Sequence, residues 1–164
     1  VWSRSRDGAE RLVDQLRADG LSAEVAPDLR EAVRRADVIT AATSATSPLV
    51  LAGDVRPGAH VDLIGAFTPA MVEADEALIT SGSLFVDVRE ALHEAGDLTG
   101  PLARGILRES DVRGTLADLC AGRHPGRESA DEVTVFKSVG TALEDLVAAG
   151  LVWEAWSEAA ADLQ

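Results

Sequence analysis

Val1-Trp2-Ser3-Arg4-Ser5 decides the fold: a short β-forming start runs into a tip of two hydroxyls around one guanidinium. Directly after it, Asp7 to Asp19 places Ala9, Leu12, Val13 and Leu16 at helical spacing, and Gly20 supplies a helix stop. A strand, a polar tip and an amphipathic helix in that order are half of a βαβ unit. The opening stretch reads as the second strand of a nucleotide-binding unit, the one whose tip selects between dinucleotides. The glycine-rich turn that holds the pyrophosphate normally lies ahead of that strand. Neither that turn nor an initiating Met stands before Val1. The chain is therefore expected to be the back part of a dinucleotide-dependent enzyme, one strand short of a full sheet.

Outward from this start the alternation continues. Leu21 to Val25 reads as a brief strand, and Asp28 caps a short helix through Arg35. Asp37 to Thr43 is a near-continuous apolar run of the kind buried in parallel sheets. Ser44 to Pro57 is loop-like, His60 to Ala66 and Ser83 to Val88 are strands, and Pro69 to Thr80 between them is expected to be helical. Gly96 to Gly114 is irregular, and a short helix follows near Leu116 to Ala121. Val133 to Ser138 is a last strand that leads into a helix from about residue 140 to 160. Leu143, Leu146, Val147 and Leu151 stripe that helix, and Trp153 and Trp156 extend the stripe. The class is α/β: a Rossmann-like, doubly wound parallel sheet lacking its first strand. Residues 1–132 form a partial dinucleotide-binding domain, and 133–164 a final strand and helix.

Composition narrows the function. The 164 residues, 46% hydrophobic, suffice for a folded domain with a real core. With 15 basic against 28 acidic residues the net charge is −13, which disfavours nucleic acid and anionic membranes as partners. An anionic cofactor would need a local positive site, so the cluster Arg4, Arg6 and Arg11 stands out. No apolar run approaches the ~20 residues of a membrane span. The single Cys120 allows no internal disulfide and suits a reducing cytoplasm; its helical, apolar setting predicts a buried thiol. His60, His93 and His124 lack metal-ligand spacing, so no metal site is expected.

Taken in order, several segments resemble the ornithine cyclodeaminase/μ-crystallin family. They are Val1 to Ser5, Ala36 to Ile39, Thr43 to Pro48, Pro57 to His60, Ile64 to Ala66, Val86-Asp87, Glu94 to Asp97 and, most distinctive, Thr134 to Gly140. The resemblance spans nearly the whole chain. It implies a Rossmann-type domain whose final helix packs toward a separate substrate and dimerisation domain, commonly in a homodimer. That second domain comes mostly from an N-terminal half preceding the residues present here.

Ser3, Arg4 and Ser5 stand where an acidic residue would bind the ribose of NAD; an Arg between hydroxyls suits a 2′-phosphate, so NADPH is expected over NADH. Ser44 and Ala45, at a strand's carboxyl end, are placed against the cofactor by the resemblance, as are Ile64, Gly65 and Ser138. Gly65 would let a flat ring approach closely. Ornithine cyclodeaminases carry an Asp where this chain has Phe67, and a phenyl ring cannot shuttle a proton. Phe67 instead resembles members that reduce cyclic ketimines such as Δ1-pyrroline-2-carboxylate, and would contact substrate. Glu94 matches a ligand-facing position and could supply the proton that accompanies hydride addition.

The function these readings support is NADPH-dependent reduction of small cyclic imino acids, with the present chain expected to be inactive alone. NAD-dependent ornithine cyclodeaminase and a non-catalytic, crystallin-like ligand binder are the alternatives. Lys137 faces away from Ser138 on its strand and is expected to form a structural ion pair. Asp97 is expected to cap or turn its segment, and Ser138 also fits a simple helix cap.

Overall fold

The computed structural model describes the backbone of residues 1–161 and the side chains of residues 1–158. Along the chain run α1 (Arg6–Ala18), α2 (Leu29–Arg35), β1 (Val38–Ala41), β2 (Thr46–Val50), β3 (His60–Leu63), β4 (Val72–Ala74) and α3 (Glu76–Ser81). They are followed by β5 (Ser83–Val86), α4 (Ala91–Glu94), α5 (Gly96–Ala103), β6 (Gly114–Thr115), α6 (Leu116–Cys120), β7 (Thr134–Lys137) and α7 (Ala142–Ala161).

The apolar runs become one parallel sheet of five strands in the order β1-β3-β7-β5-β6. Strand β7, which the sequence groups with the final helix, is the sheet's central strand. One face is fully buried, with Val61, Leu63, Val86 and Val135 at 0% exposure, while His60, Asp62 and Phe136 on the opposite face are partly exposed. The register is level at one end, with Leu63 beside both Ala41 and Lys137, and Lys137 beside Val86. Four strands therefore finish in one row, and the loops that follow them leave from the same edge.

Local chemistry explains the helix boundaries. Asp28 accepts the Glu31 N–H and caps α2, as its position predicts, and Gly20 ends α1 at φ +82°. The Asp75 side chain likewise caps α3.

Several expectations fail. Val1 to Ser5 and Leu21 to Val25 form no ladder: the Val1 amino group donates to the Glu24 carbonyl and the Ala26 N–H to the Val1 carbonyl. Two bonds hold the segments side by side, and Ser5 already caps α1. The expected loop Ser44 to Pro57 contains β2, which pairs in parallel with β4 in a separate two-stranded sheet. Strand β4 replaces the first part of the helix expected over Pro69 to Thr80. Pro48 is tolerated in β2 because a two-stranded sheet leaves each strand a free edge. Gly96 to Gly114 is more regular than expected, with α5 running through Pro101. Cys120 is exposed, contrary to the expectation of burial, because five-residue α6 also leaves Leu116 39% accessible. On α7, Leu146, Leu151, Val152 and Trp153 are each more than half exposed.

Candidate functional site

Parallel sheets of this kind bind ligands outside the carboxyl ends of their strands. Here that edge carries a cleft of about 650 Å³, with residues 1–5 on one side and 42–47 on the other. Ser3, Arg4, Ser5, Ser44 and Ala45 all line it, so five of the expected cofactor residues meet in one place. Arg4 is exposed and forms no ion pair among the described residues. Among the described residues no Asp or Glu lines the cleft, although the whole chain carries −13. Ser5 Oγ accepts the Gly8 N–H at 3.3 Å and caps the 13-residue α1. One cation, free hydroxyl capacity and the positive end of a helix suit a phosphate group.

The tips of β1 and β3 are held together by Glu73 from β4. Its Oε1 accepts the Thr43 N–H at 2.6 Å and the Thr43 hydroxyl at 2.8 Å. Its Oε2 accepts the Gly65 N–H at 2.8 Å and the Ala66 N–H at 3.1 Å. The Thr43 hydroxyl in turn accepts from the Ala45 N–H at 3.2 Å, which extends the network to the cleft wall. A Cβ on Gly65 would overlap the Thr43 backbone and Glu73 Oε1. Glycine is thus required at residue 65 by the neighbouring strand tip.

Beneath this clamp lies a buried cation. Lys137 is fully buried at the end of β7 and donates to the Leu63 carbonyl at 3.0 Å. Its Nζ is 3.6 Å from Asp97 Oδ2 and 3.9 Å from Glu73 Oε2, so the expected ion pair is a triad. Asp97 Oδ1 accepts the Glu73 and Ala74 N–H groups at 2.8 and 3.0 Å, while Oδ2 has no hydrogen-bond partner among the described residues. Burial pushes the Asp97 carboxyl above its ordinary range, against the lowering pull of those amides and of Lys137. Burial also lowers the Lys137 ammonium, opposed by Asp97 and Glu73.

A second carboxylate organises the tip of β7. Asp87 Oδ2 accepts the Ser138 hydroxyl at 3.0 Å and the Val139 and Gly140 N–H groups at 2.7 Å each. Gly140 has φ +81°, a conformation that favours glycine. Ser138 is therefore a turn residue, and its expected role as helix cap falls to Thr141, which exchanges hydrogen bonds with Glu144.

Ile64 and Phe67 follow β3 and are 45% and 56% exposed, two large apolar side chains facing solvent beside the clamped tip. Glu94 ends α4 and is exposed; two residues on, the Gly96 N–H donates to the Thr68 carbonyl at 3.1 Å, which ties this turn to the Phe67 loop. Ile64, Gly65, Phe67, Glu94 and Ser138 do not line the cleft. Sequence reasoning missed Glu73 and Asp87 as organising groups and gave Asp97 only a local role. One signal was available: a lysine at the end of an otherwise apolar strand needs a buried partner.

The family model for the ornithine cyclodeaminase/mu-crystallin family matches residues 1–160. The Delta(1)-pyrroline-2-carboxylate reductase of Paracoccus denitrificans is 44% identical over 93% of this chain and 48% of its own length. Mouse ketimine reductase mu-crystallin is 39% identical over 96% of this chain and 47% of its own. Among solved structures, Thermococcus litoralis Delta(1)-pyrroline-2-carboxylate reductase in complex with NADH and L-proline superposes with a TM-score of 0.92 at 31% identity, over 98% of this chain and 50% of that one. An archaeal alanine dehydrogenase dimer with bound NAD gives 0.87 at 32% identity, over 96% and 49%. The chain thus spans about half the length of the relatives it matches.

Proposed function

The chain belongs to the ornithine cyclodeaminase/mu-crystallin family, and from that premise we propose that it is the cofactor-binding part of an NADPH-dependent reductase of cyclic imino acids. The observation that carries this is the cleft at the sheet's carboxyl edge, lined by no acid among the described residues and holding Arg4 between two serines. Relatives named as reductases of Δ1-pyrroline-2-carboxylate and of ketimines support the reaction class. Phe67, which cannot act as a carboxylate, supports imine reduction over cyclodeamination.

The chemistry a reduced nicotinamide supplies is hydride; the rest falls to this chain's residues. Arg4, with Ser3 and Ser5, holds the 2′-phosphate. Ser44, Ala45, Ile64 and Gly65 line the path of the dinucleotide, and Ser138 stands with the amides at the tip of β7. Phe67 packs on the apolar ring of the substrate. Glu94 holds the proton that goes to the imine nitrogen as hydride goes to its carbon. A single cysteine, which suits a reducing compartment, and a structural relative solved as a dimer support assigning the protein to the cytoplasm as a homodimer.

The test, run on the enzyme of which this chain is the cofactor-binding part, is consumption of NADPH and of NADH with Δ1-pyrroline-2-carboxylate, with ammonia release from ornithine as control. Turnover with the imine and none with ornithine is expected, together with loss of activity in Glu94→Gln. Ammonia from ornithine, or cofactor binding without turnover of any imine, would overturn the reading. One observation favours a second cofactor: the solved relatives hold NADH or NAD. A higher kcat/KM with NADH would select it.

A further inference from the structure

We propose that Glu73 is a positioning residue for the hydride-transfer step, acting through the backbone of two strand tips. The inference rests on the reductase reading for its chemistry and on geometry for its mechanism. Glu73 is fully buried and touches no open surface, so it is no candidate for direct contact with substrate. All four groups bonded to it are donors, and they come from two different strand ends: Thr43 after β1, and Gly65 with Ala66 after β3. A single carboxylate thereby sets the separation of two loops. One of them lines the cleft with Ser44 and Ala45, and the other leads into exposed Phe67.

A clamp of this kind holds its length only if the carboxylate itself cannot move. Three features fix it. The Glu73 and Ala74 amides are held by Asp97, the buried Lys137 ammonium lies 3.9 Å from Oε2, and Lys137 is tied to the Leu63 carbonyl. Gly65 removes the side chain that would otherwise wedge the tips apart. The triad thus transmits the position of central β7 to the two loops at the carboxyl edge, beside which a reduced nicotinamide and its hydride acceptor would lie. Hydride transfer depends steeply on such spacing.

The discriminating variant is Glu73→Gln. An amide side chain offers one acceptor and one donor group where four donors converge, so either Thr43 or Gly65 and Ala66 must lose their partner. The readouts are amide hydrogen exchange by NMR on this chain and steady-state kinetics of the enzyme of which it is the cofactor-binding part. In E73Q, exchange should quicken at Thr43, Gly65 or Ala66 while Val61 and Val135 in the sheet stay protected. kcat for the imine should fall about tenfold to hundredfold. The ratio of NADPH to NADH affinities, which Arg4 sets, should stay as in the wild type; a merely loosened fold would lose both together. Unchanged exchange at all three amides, or unchanged kcat, would overturn the proposal. If the wild type turns over no imine, the reductase reading falls; the clamp then stands or falls on the exchange pattern, and its catalytic part is overturned. Should E73Q not fold, Thr43→Val removes only the two hydroxyl bonds, to Glu73 Oε1 and from the Ala45 N–H, and a few-fold loss of kcat is expected with the sheet intact.

Discussion

Replacing Lys137 by Met would strand two carboxylates in the protein interior. The ammonium lies 3.6 Å from Asp97 Oδ2 and 3.9 Å from Glu73 Oε2. At an effective dielectric of about 20, each separation corresponds to a gross attraction of roughly 4–5 kcal/mol. Burying the ammonium costs several kcal/mol in the other direction, so the intact triad adds little net stability. Deleting one member is different, because the penalty for the charges left behind has no compensation. The expected loss for K137M is about 3–5 kcal/mol, against a total of about 5–15 kcal/mol for a domain. The loss should depend on pH. The Asp97 carboxyl is already raised by burial, and removing the cation raises it further. A group raised in the folded state contributes stability that is fully present below its ordinary value of 3.8 and is lost as pH rises through its folded value. The deficit of K137M should therefore grow from acid to neutral pH, and adding Asp97→Asn should flatten it. Urea unfolding followed by circular dichroism at several pH values measures this, with an unchanged m-value as the sign that the comparison is valid. Equal stability of K137M and wild type at neutral pH, or a deficit independent of pH, would refute the electrostatic account.

Three further outcomes are expected. Gly65→Ala should destabilise by about 1–3 kcal/mol or more, seen as a lower Tm, because its Cβ has no room against the Thr43 backbone. Arg4→Glu should weaken NADPH about tenfold to hundredfold more than NADH in a fluorescence titration, the worth of a charge-assisted bond; equal weakening would remove Arg4 from the 2′-phosphate site. His60 is held below its ordinary 6.5 mainly by burial, and its Nδ1 lies 2.8 Å from the Thr134 hydroxyl. A lowered group contributes stability that is present above the ordinary value and lost as pH falls through the folded one. Unfolding free energy should accordingly drop on acidification below about 6.5, and less so in His60→Gln.

The residues that made the fold legible are those whose effect is local. Asp28 and Gly20 mark helix ends by chemistry that acts within a few residues, and the apolar runs at 38–41, 60–63, 83–86 and 134–137 announce buried strands. Strands β2 and β4 were hidden because Pro48 and small residues mask the first and because Val72-Glu73-Ala74 places a carboxylate inside a strand. Reading Glu73 as buried requires knowing that Lys137 ends beside it. That depends on β7 lying next to β3, an arrangement no local pattern encodes. The cleft residues Ser3, Arg4, Ser5, Ser44 and Ala45 were accessible from the sequence because each lies beside an element boundary, the first three just before α1 and the last two between β1 and β2. The clamp was not, since its members are distant in sequence and one of them, Asp97, resembles an ordinary turn acid.

The central position of β7 also bears on the order in which the molecule can be assembled. Strands β1 and β3 form one pair, β5 and β6 another, and neither pair bonds to the other except through β7. As the chain emerges from the ribosome, both pairs are exposed along an edge until the residues up to Lys137 are free. The sheet closes only then, by inserting its keystone between two halves already made. Such late, long-range closure slows folding and leaves open edges during synthesis. A chain interrupted between Thr115 and Thr134 would keep most of its hydrophobic residues yet remain two half-sheets.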